Sequence, residues 1–247
     1  MLSNIYSTLL SLVCLILISS TNAVELPGNY TLPKNSSNLC LIARFDLVLN
    51  VEYTQIDGKK NISKIPLNNE TFQYYDGACD LSNSHTLTLT LLDNLTTILF
   101  NFSMDEKNKT SLSRVLATVT IADNAFFPNC SKYARGIHPF VTNESLFITD
   151  RSKSYRCNAQ TKIDNFKSDG NVTIKSIDLQ NLRIQPFVDS SIIFHDYETE
   201  DVCLLDRFRD NYKVPIIVGV CLSVLVITVL VVYLICRRRN HNGYQSV

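Results

Sequence analysis

A chain of 247 residues has room for one well-cored domain plus accessory segments. Its 23 Lys and Arg balance 23 Asp and Glu, so no whole-chain field draws it to nucleic acid or to an acidic partner. The informative features are local, and they change along the chain.

Residues 1–23 read as a signal peptide. An apolar run from Leu9 to Ile18 is too short to cross a bilayer. Ser19-Ser20-Thr21-Asn22-Ala23 follow, with small residues at the −3 and −1 positions of a cleavage after Ala23. No Lys or Arg precedes the run, so an uncleaved anchor is the alternative.

Residues 24–213 then fall on the lumenal or extracellular side. From Leu41 to Tyr53 every odd position is apolar (Leu41, Ala43, Phe45, Leu47, Leu49, Val51, Tyr53), which predicts a long half-buried strand. Leu87, Leu89 and Leu91 alternate with threonines, Phe100, Phe102 and Met104 continue the pattern, and Val115, Ala117, Val119 and Ile121 supply another face. Ile177 and Leu179 keep one phase while Leu182 and Ile184 keep the other, so a bulge near Gln180–Asn181 is expected. No helical stripe of comparable length appears. The fold class is all-β and antiparallel, with one face buried and one glycosylated.

The same stretch holds ten N-x-S/T sequons, at Asn29, Asn35, Asn61, Asn69, Asn94, Asn101, Asn108, Asn129, Asn143 and Asn171. Each glycan is bulky and hydrated, so each occupied asparagine must reach solvent. Cys40, Cys79, Cys130, Cys157 and Cys203 suit an oxidising compartment. Spacing leaves their connectivity open; sequential pairing, Cys40 with Cys79 and Cys157 with Cys203, is the simplest arrangement, and it leaves Cys130 over. Cys130 then pairs between chains, is shielded by a glycan on Asn129, or takes Cys157 and leaves Cys203 odd.

Val214 to Cys236 carry no charge, and their 23 residues span about 34 Å as a helix, enough for the hydrocarbon core of a bilayer. Pro215 would sit in the first turn, where a missing N–H is tolerated. Arg237-Arg238-Arg239 follow at once, which places residues 237–247 in the cytoplasm. Cys236, beside Arg237, is a candidate for palmitoylation, against the plainer reading of a small apolar helix residue. In the tail, Gly243-Tyr244-Gln245-Ser246-Val247 offers a tyrosine with an apolar residue three positions on. An extended peptide of this kind places its ring in one pocket and its apolar side chain in a second.

Several segments resemble the lysosome-associated membrane glycoprotein family: Arg237–Val247 its cytoplasmic signature, Ser154-Tyr155-Arg156-Cys157-Asn158 its S-Y-[KR]-C-N segment, Cys203-Leu204-Leu205-Asp206 its C-L-L-D, and Cys40-Leu41-Ile42-Ala43 the opening of its first disulfide loop. The resemblance is strongest from Tyr155 to Val247 and fainter over residues 38–150. It implies a β-prism-like lumenal domain closed by Cys40–Cys79 and Cys157–Cys203, with one transmembrane helix. It also implies residence in the lysosomal and late-endosomal membranes, with the cell surface a further station. Clathrin-associated adaptor complexes would recognise Tyr244 and Val247.

Catalytic motifs are absent from the sequence: no G-x-S-x-G elbow, no H-E-x-x-H and no phosphate-cradling glycine loop. No enzyme activity, cofactor or metal is expected. His85, His138 and His195 lie apart without ligand spacing to cysteine or carboxylate. Asp196, Glu198, Glu200 and Asp201 read as a solvated loop, with calcium or a basic partner as the alternative. The expected function is a protective glycan coat on the lysosomal limiting membrane, delivered by the tail signal. The alternative is an endosomal cargo or scavenger receptor using the same tail, with its ligand face in the sequon-free run Val172 to Lys213.

Overall fold

The computed structural model describes residues 28–34, 38–79, 83–92, 94–167, 170–188 and 197–241, with backbone alone for 209–216, 236 and 238–241. The signal peptide and the Gly243–Val247 motif lie outside the described residues. In chain order the strands are β1 (Gly28–Leu32), β2 (Leu41–Thr54), β3 (Lys60–Pro66), β4 (Phe72–Cys79), β5 (Ser84–Leu91), β6 (Thr96–Met104) and β7 (Lys109–Ile121). There follow β8 (Gly136–Thr142), β9 (Leu146–Asp150), β10 (Ser154–Cys157), β11 (Thr161–Ile163), β12 (Val172–Gln185), β13 (Glu200–Val202) and a helix, α1 (Leu204–His241).

Two sheets enclose one core. In the first, β2 and β12 pair antiparallel along almost their whole length, β1 and β3 share the other flank of β2, and β10 and β11 share the far flank of β12. Strand β13 closes that edge, parallel to β10. The second sheet is the meander β4-β5-β6-β7-β8, with β9 also on β7. Residues 122–135 make the long connection from β7 to β8, while Asn94 and Asn108 take positive φ in the tight turns of two hairpins (68° and 56°). Asparagine tolerates that conformation better than most residues.

The period-two patterns point inward. Every odd residue from Leu41 to Tyr53 is buried, as are Leu87, Leu89, Leu91, Phe100, Phe102, Val115, Ala117, Val119 and Ile121; Met104 packs at the margin. The layers interlock through rings: Phe45 of β2 meets Phe100 of β6 edge-on, with centroids 5.7 Å apart. Burying such a side chain contributes about 2–3 kcal/mol by transfer from water.

The expected bulge falls between Gln180 and Arg183, where the β2–β12 register shifts and Asn181 takes φ 50°. This lets Ile177 and Leu179 share the core with Leu182 and Ile184 despite their opposite phase. A second shift, between Ile174 and Ser176, was not expected; it falls where the buried apolar phase passes from Val172 and Ile174 to Ile177 and Leu179.

At the membrane end the structure corrects the sequence reading. The helix begins at Leu204, not Val214, so the last ten residues of the expected lumenal segment 24–213 are helical. Pro215 therefore sits in the helix interior and not in its first turn. The stretch apolar enough to span is Ile217–Ile235, 19 residues with a mean hydropathy of 2.9.

Candidate functional site

The functional surface consists of the glycosylation sites and the junction between domain and membrane helix. Of the nine described sequon asparagines, eight are exposed: Asn29, Asn61, Asn69, Asn94, Asn108, Asn129, Asn143 and Asn171. Asn29 and Asn61 lie on β1 and β3, along one flank of β2. The other six lie in connections or immediately before a strand. Asn35 lies outside the described residues.

Asn101 is the exception. It lies on the inner strand β6, half-buried, and its Oδ1 accepts a hydrogen bond from Ser84 Oγ at 2.8 Å. The carriers thus ring the domain, which is where a hydrated glycan can stand without being desolvated.

Two disulfides close the domain, one between the sheets and one at the edge of the first sheet. Cys40, just before β2, joins Cys79 at the end of β4 and so ties one sheet to the other. Beside that bridge Gly77 is required by space, because a Cβ there would lie 2.2 Å from the Thr86 carbonyl oxygen. Cys157, ending β10, joins Cys203, just ahead of α1. Cys157 is therefore not free for Cys130. The Cys130 thiol is unpaired and fully buried beside the bridge pair Gln55–Cys130, so the fold itself covers it and no glycan shield is needed.

The junction contains a residue whose role spacing did not reveal. Asp206, in the first turn of α1, is buried, and its carboxylate accepts the backbone N–H groups of Asn158 at 2.6 Å and Ala159 at 2.9 Å. Charge-assisted bonds of this kind are about twice as strong as neutral ones. The segments Ser154–Asn158 and Cys203–Asp206 are thus one unit, a disulfide and a carboxylate latch side by side. The available signal was that both segments resemble the same family.

The acidic stretch is part loop and part strand where it is described: Glu198 precedes β13 in irregular backbone. Glu200 and Asp201 lie on β13, with Glu200 paired to Arg156 at 2.9 Å and Asp201 to Arg207 at 2.7 Å. Glu198 donates its backbone N–H to Gln185 Oε1. Asp196 and His195 lie outside the described residues.

The fold also moves His85, which spacing set apart from the cysteines. Its ring lies within 4.8 Å of both sulfurs of the first bridge, but those sulfurs are bonded to each other and present no thiolate ligands. His85 stacks on Phe187 and bonds the Pro186 carbonyl at 2.6 Å, while His138 bonds the Ala134 carbonyl at 2.9 Å. Cys236 lies on α1, its side chain outside the described residues.

A disulfide-closed β domain whose rim carries glycosylation sites, joined to a helix of membrane-spanning length, defines a membrane-anchored glycoprotein. Residues 18–196 match the family model for lysosome-associated membrane glycoprotein 2-like luminal domains, and residues 214–245 match that of the lysosome-associated membrane glycoprotein 2 transmembrane segment. The chain belongs to the lysosome-associated membrane glycoprotein family and is a type I glycoprotein of the lysosomal membrane.

It is 27% identical over 220 residues to lysosome-associated membrane glycoprotein 2 of Rattus norvegicus, covering 89% of this chain and 46% of the relative. It is 29% identical over 225 residues to lysosome-associated membrane glycoprotein 1 of Gallus gallus, covering 89% and 48%. The chain therefore spans about half the length of these relatives.

Among solved structures, the membrane-proximal domain of mouse lysosome-associated membrane protein 1 superposes with a TM-score of 0.58 at 19% identity, over 74% of this chain and 99% of that one. The membrane-distal domain of mouse lysosome-associated membrane protein 2 gives 0.56 at 19%, over 74% and 99%. At that identity the likeness shows the fold. The family model covers residues 38–150, where the motifs alone are faint.

Proposed function

We propose that the chain is a coat protein of the lysosomal and late-endosomal membrane, with its lumenal domain holding sugars between the bilayer and the hydrolases of the lumen. The observation that carries this reading is the distribution of glycosylation sites: eight exposed asparagines placed around both sheets, at edges and turns. Two disulfides and a shared core make the scaffold resistant to local opening, which is what a protease needs. Lifetime tests the idea. In cells unable to build full N-glycans the protein should be degraded several times faster in lysosomes, and an unchanged half-life would count against a shield.

Delivery is assigned to Gly243, Tyr244 and Val247, read by clathrin-associated adaptor complexes. Tyr244→Ala should move the protein from acidic organelles to the cell surface, as surface labelling of both forms would show. Catalysis forms no part of this function. The receptor alternative needs an open, glycan-free face. The sequon-free run supplies β12, a central strand with several outward groups already engaged, and the exposed apolar residues Leu204, Leu205 and Phe208 at its membrane end. Lys175 pairs with Glu52 at 3.0 Å, and Asp178 accepts from Asn50 at 3.1 Å and Gln160 at 2.9 Å.

A further inference from the structure

The first thirteen residues of α1 belong neither to the sheets nor to the span. The helix begins at Leu204, but the stretch apolar enough to cross a membrane begins at Ile217. At about 1.5 Å per residue the 38 residues of α1 would measure about 57 Å, against about 40–45 Å for a bilayer with its headgroups. A straight, upright helix would lift its first turns well clear of the membrane.

Those first turns are two-sided. At about 100° per residue, Leu204, Leu205 and Phe208 fall within one ~100° arc, and Asp206 falls on the opposite side. The structure shows the same division. Asp206 is 3% exposed and latched to the domain, while Leu204, Leu205 and Phe208 are 67%, 57% and 61% exposed. In the sequence Tyr212 repeats the spacing four residues after Phe208. A stripe of two leucines and an aromatic ring thus points away from the domain, on the helix that carries the span. Pro215 lies between stripe and span. An interior proline cannot donate to the carbonyl four residues back, and helices kink there.

We propose that Leu204–Val214 lies in the lumenal headgroup layer of the bilayer that α1 crosses. Its apolar stripe faces the lipid, the domain is latched to its upper side by Asp206 and the Cys157–Cys203 bridge, and the helix turns into the span at Pro215. The partner is a lipid surface, and the surface is continuous with the spanning interface. An interfacial helix of this kind buries its apolar face at the headgroup boundary, where aromatic rings are favoured. The consequence is a domain that lies close against its membrane and does not stand on a stalk.

The chain contains no tryptophan, so one introduced indole reports alone. Leu205→Trp and Phe208→Trp would each be made in the full chain and placed in phosphatidylcholine nanodiscs. Tyr74→Trp, on strand β4 at the far edge of the second sheet from β9, serves as the reference in water. Lipids brominated on the upper acyl chain should quench most of the emission of both junction variants and shift neither reference nor its acrylamide sensitivity. Both junction emissions should also be blue-shifted and protected from acrylamide. Quenching of Phe208→Trp alone would mean an upright helix, and quenching of neither variant would mean a stripe in water; either result overturns the proposal.

Discussion

Tyr53 is fully buried at the end of β2, and its hydroxyl is satisfied on both sides: it donates to the Pro128 carbonyl at 3.0 Å and accepts from Asn61 Nδ2 at 3.1 Å. Asn61 is itself a sequon residue, so this contact links a glycan carrier to the core. Tyr53→Phe removes both bonds, while the Pro128 carbonyl keeps Gln55 Nε2 at 3.2 Å, and should cost about 1 kcal/mol in urea unfolding of the lumenal domain. Its neighbour Glu52 lies between Lys60 of β3 and Lys175 of β12, each Nζ at 3.0 Å. Burial pushes its carboxyl up, but the hydrogen bonds and charges of Lys175 and Lys60 outweigh this and hold it below the usual glutamate value. A depressed pKa stabilises the fold above the unfolded-state value and ceases to do so as pH falls through the folded value. The contribution should therefore persist at a lysosomal pH of about 5. Thermal unfolding across pH should show Glu52→Gln less stable than the parent from neutrality to about pH 5, with the gap closing below about pH 4. A gap that widened in acid would show that the lysines do not set this carboxyl.

At the scale of elements, the bulge in β12 shows how one residue conformation serves a whole strand. Asn181 takes φ 50°, and its Nδ2 donates to Asp46 Oδ2 at 2.6 Å, which anchors the shifted register to β2. Left-handed backbone is costly for β-branched residues and nearly free for glycine. Asn181→Val should lose about 2–3 kcal/mol, combining backbone strain with the lost bond, whereas Asn181→Gly should lose about 1 kcal/mol. Equal losses in denaturant titration would remove backbone conformation as the cause. The bulge was legible because two apolar phases met within six residues, Ile177 to Leu182. The irregularity at Ile174–Ser176 lies where the apolar phase passes from Val172 and Ile174 to Ile177 and Leu179, so the same signal was present there, carried by one short pair on its N-terminal side. The short strands β10, β11 and β13 carry three or four residues each, too few for any period to show.

At the scale of the molecule, the Cys40–Cys79 bridge is the covalent tie between the sheets. Closing a loop with a sequence separation of 39 is worth up to about 4 kcal/mol on a chain-entropy model, and commonly 2–4 kcal/mol when measured. Replacing both cysteines by serine should lower the unfolding free energy of the lumenal domain by about that amount. It should also shorten survival under a lysosomal protease mixture at acid pH. Full protease resistance in the double variant would show that packing and glycans suffice without the bridge. The same scale explains the placement of the sequons. Eight carriers at edges and turns leave the buried faces free to pair, and the outer face of the first sheet keeps ion pairs such as Glu52–Lys175.

The sequence by itself determined the class of fold, the topology across the membrane and the glycoprotein character. Period-two alternation, an uncharged run of membrane length and N-x-S/T triplets are local signals that survive without a partner. Resemblance of short segments then pointed to the family, which the match over residues 18–196 established. Tertiary structure alone decided where α1 begins, what Asp206 holds, why Cys130 stays unpaired, and that His85 lies against a disulfide. Each depends on groups far apart in the chain, such as Asp206 on the amides of Asn158 and Ala159, and local spacing carries no record of such meetings.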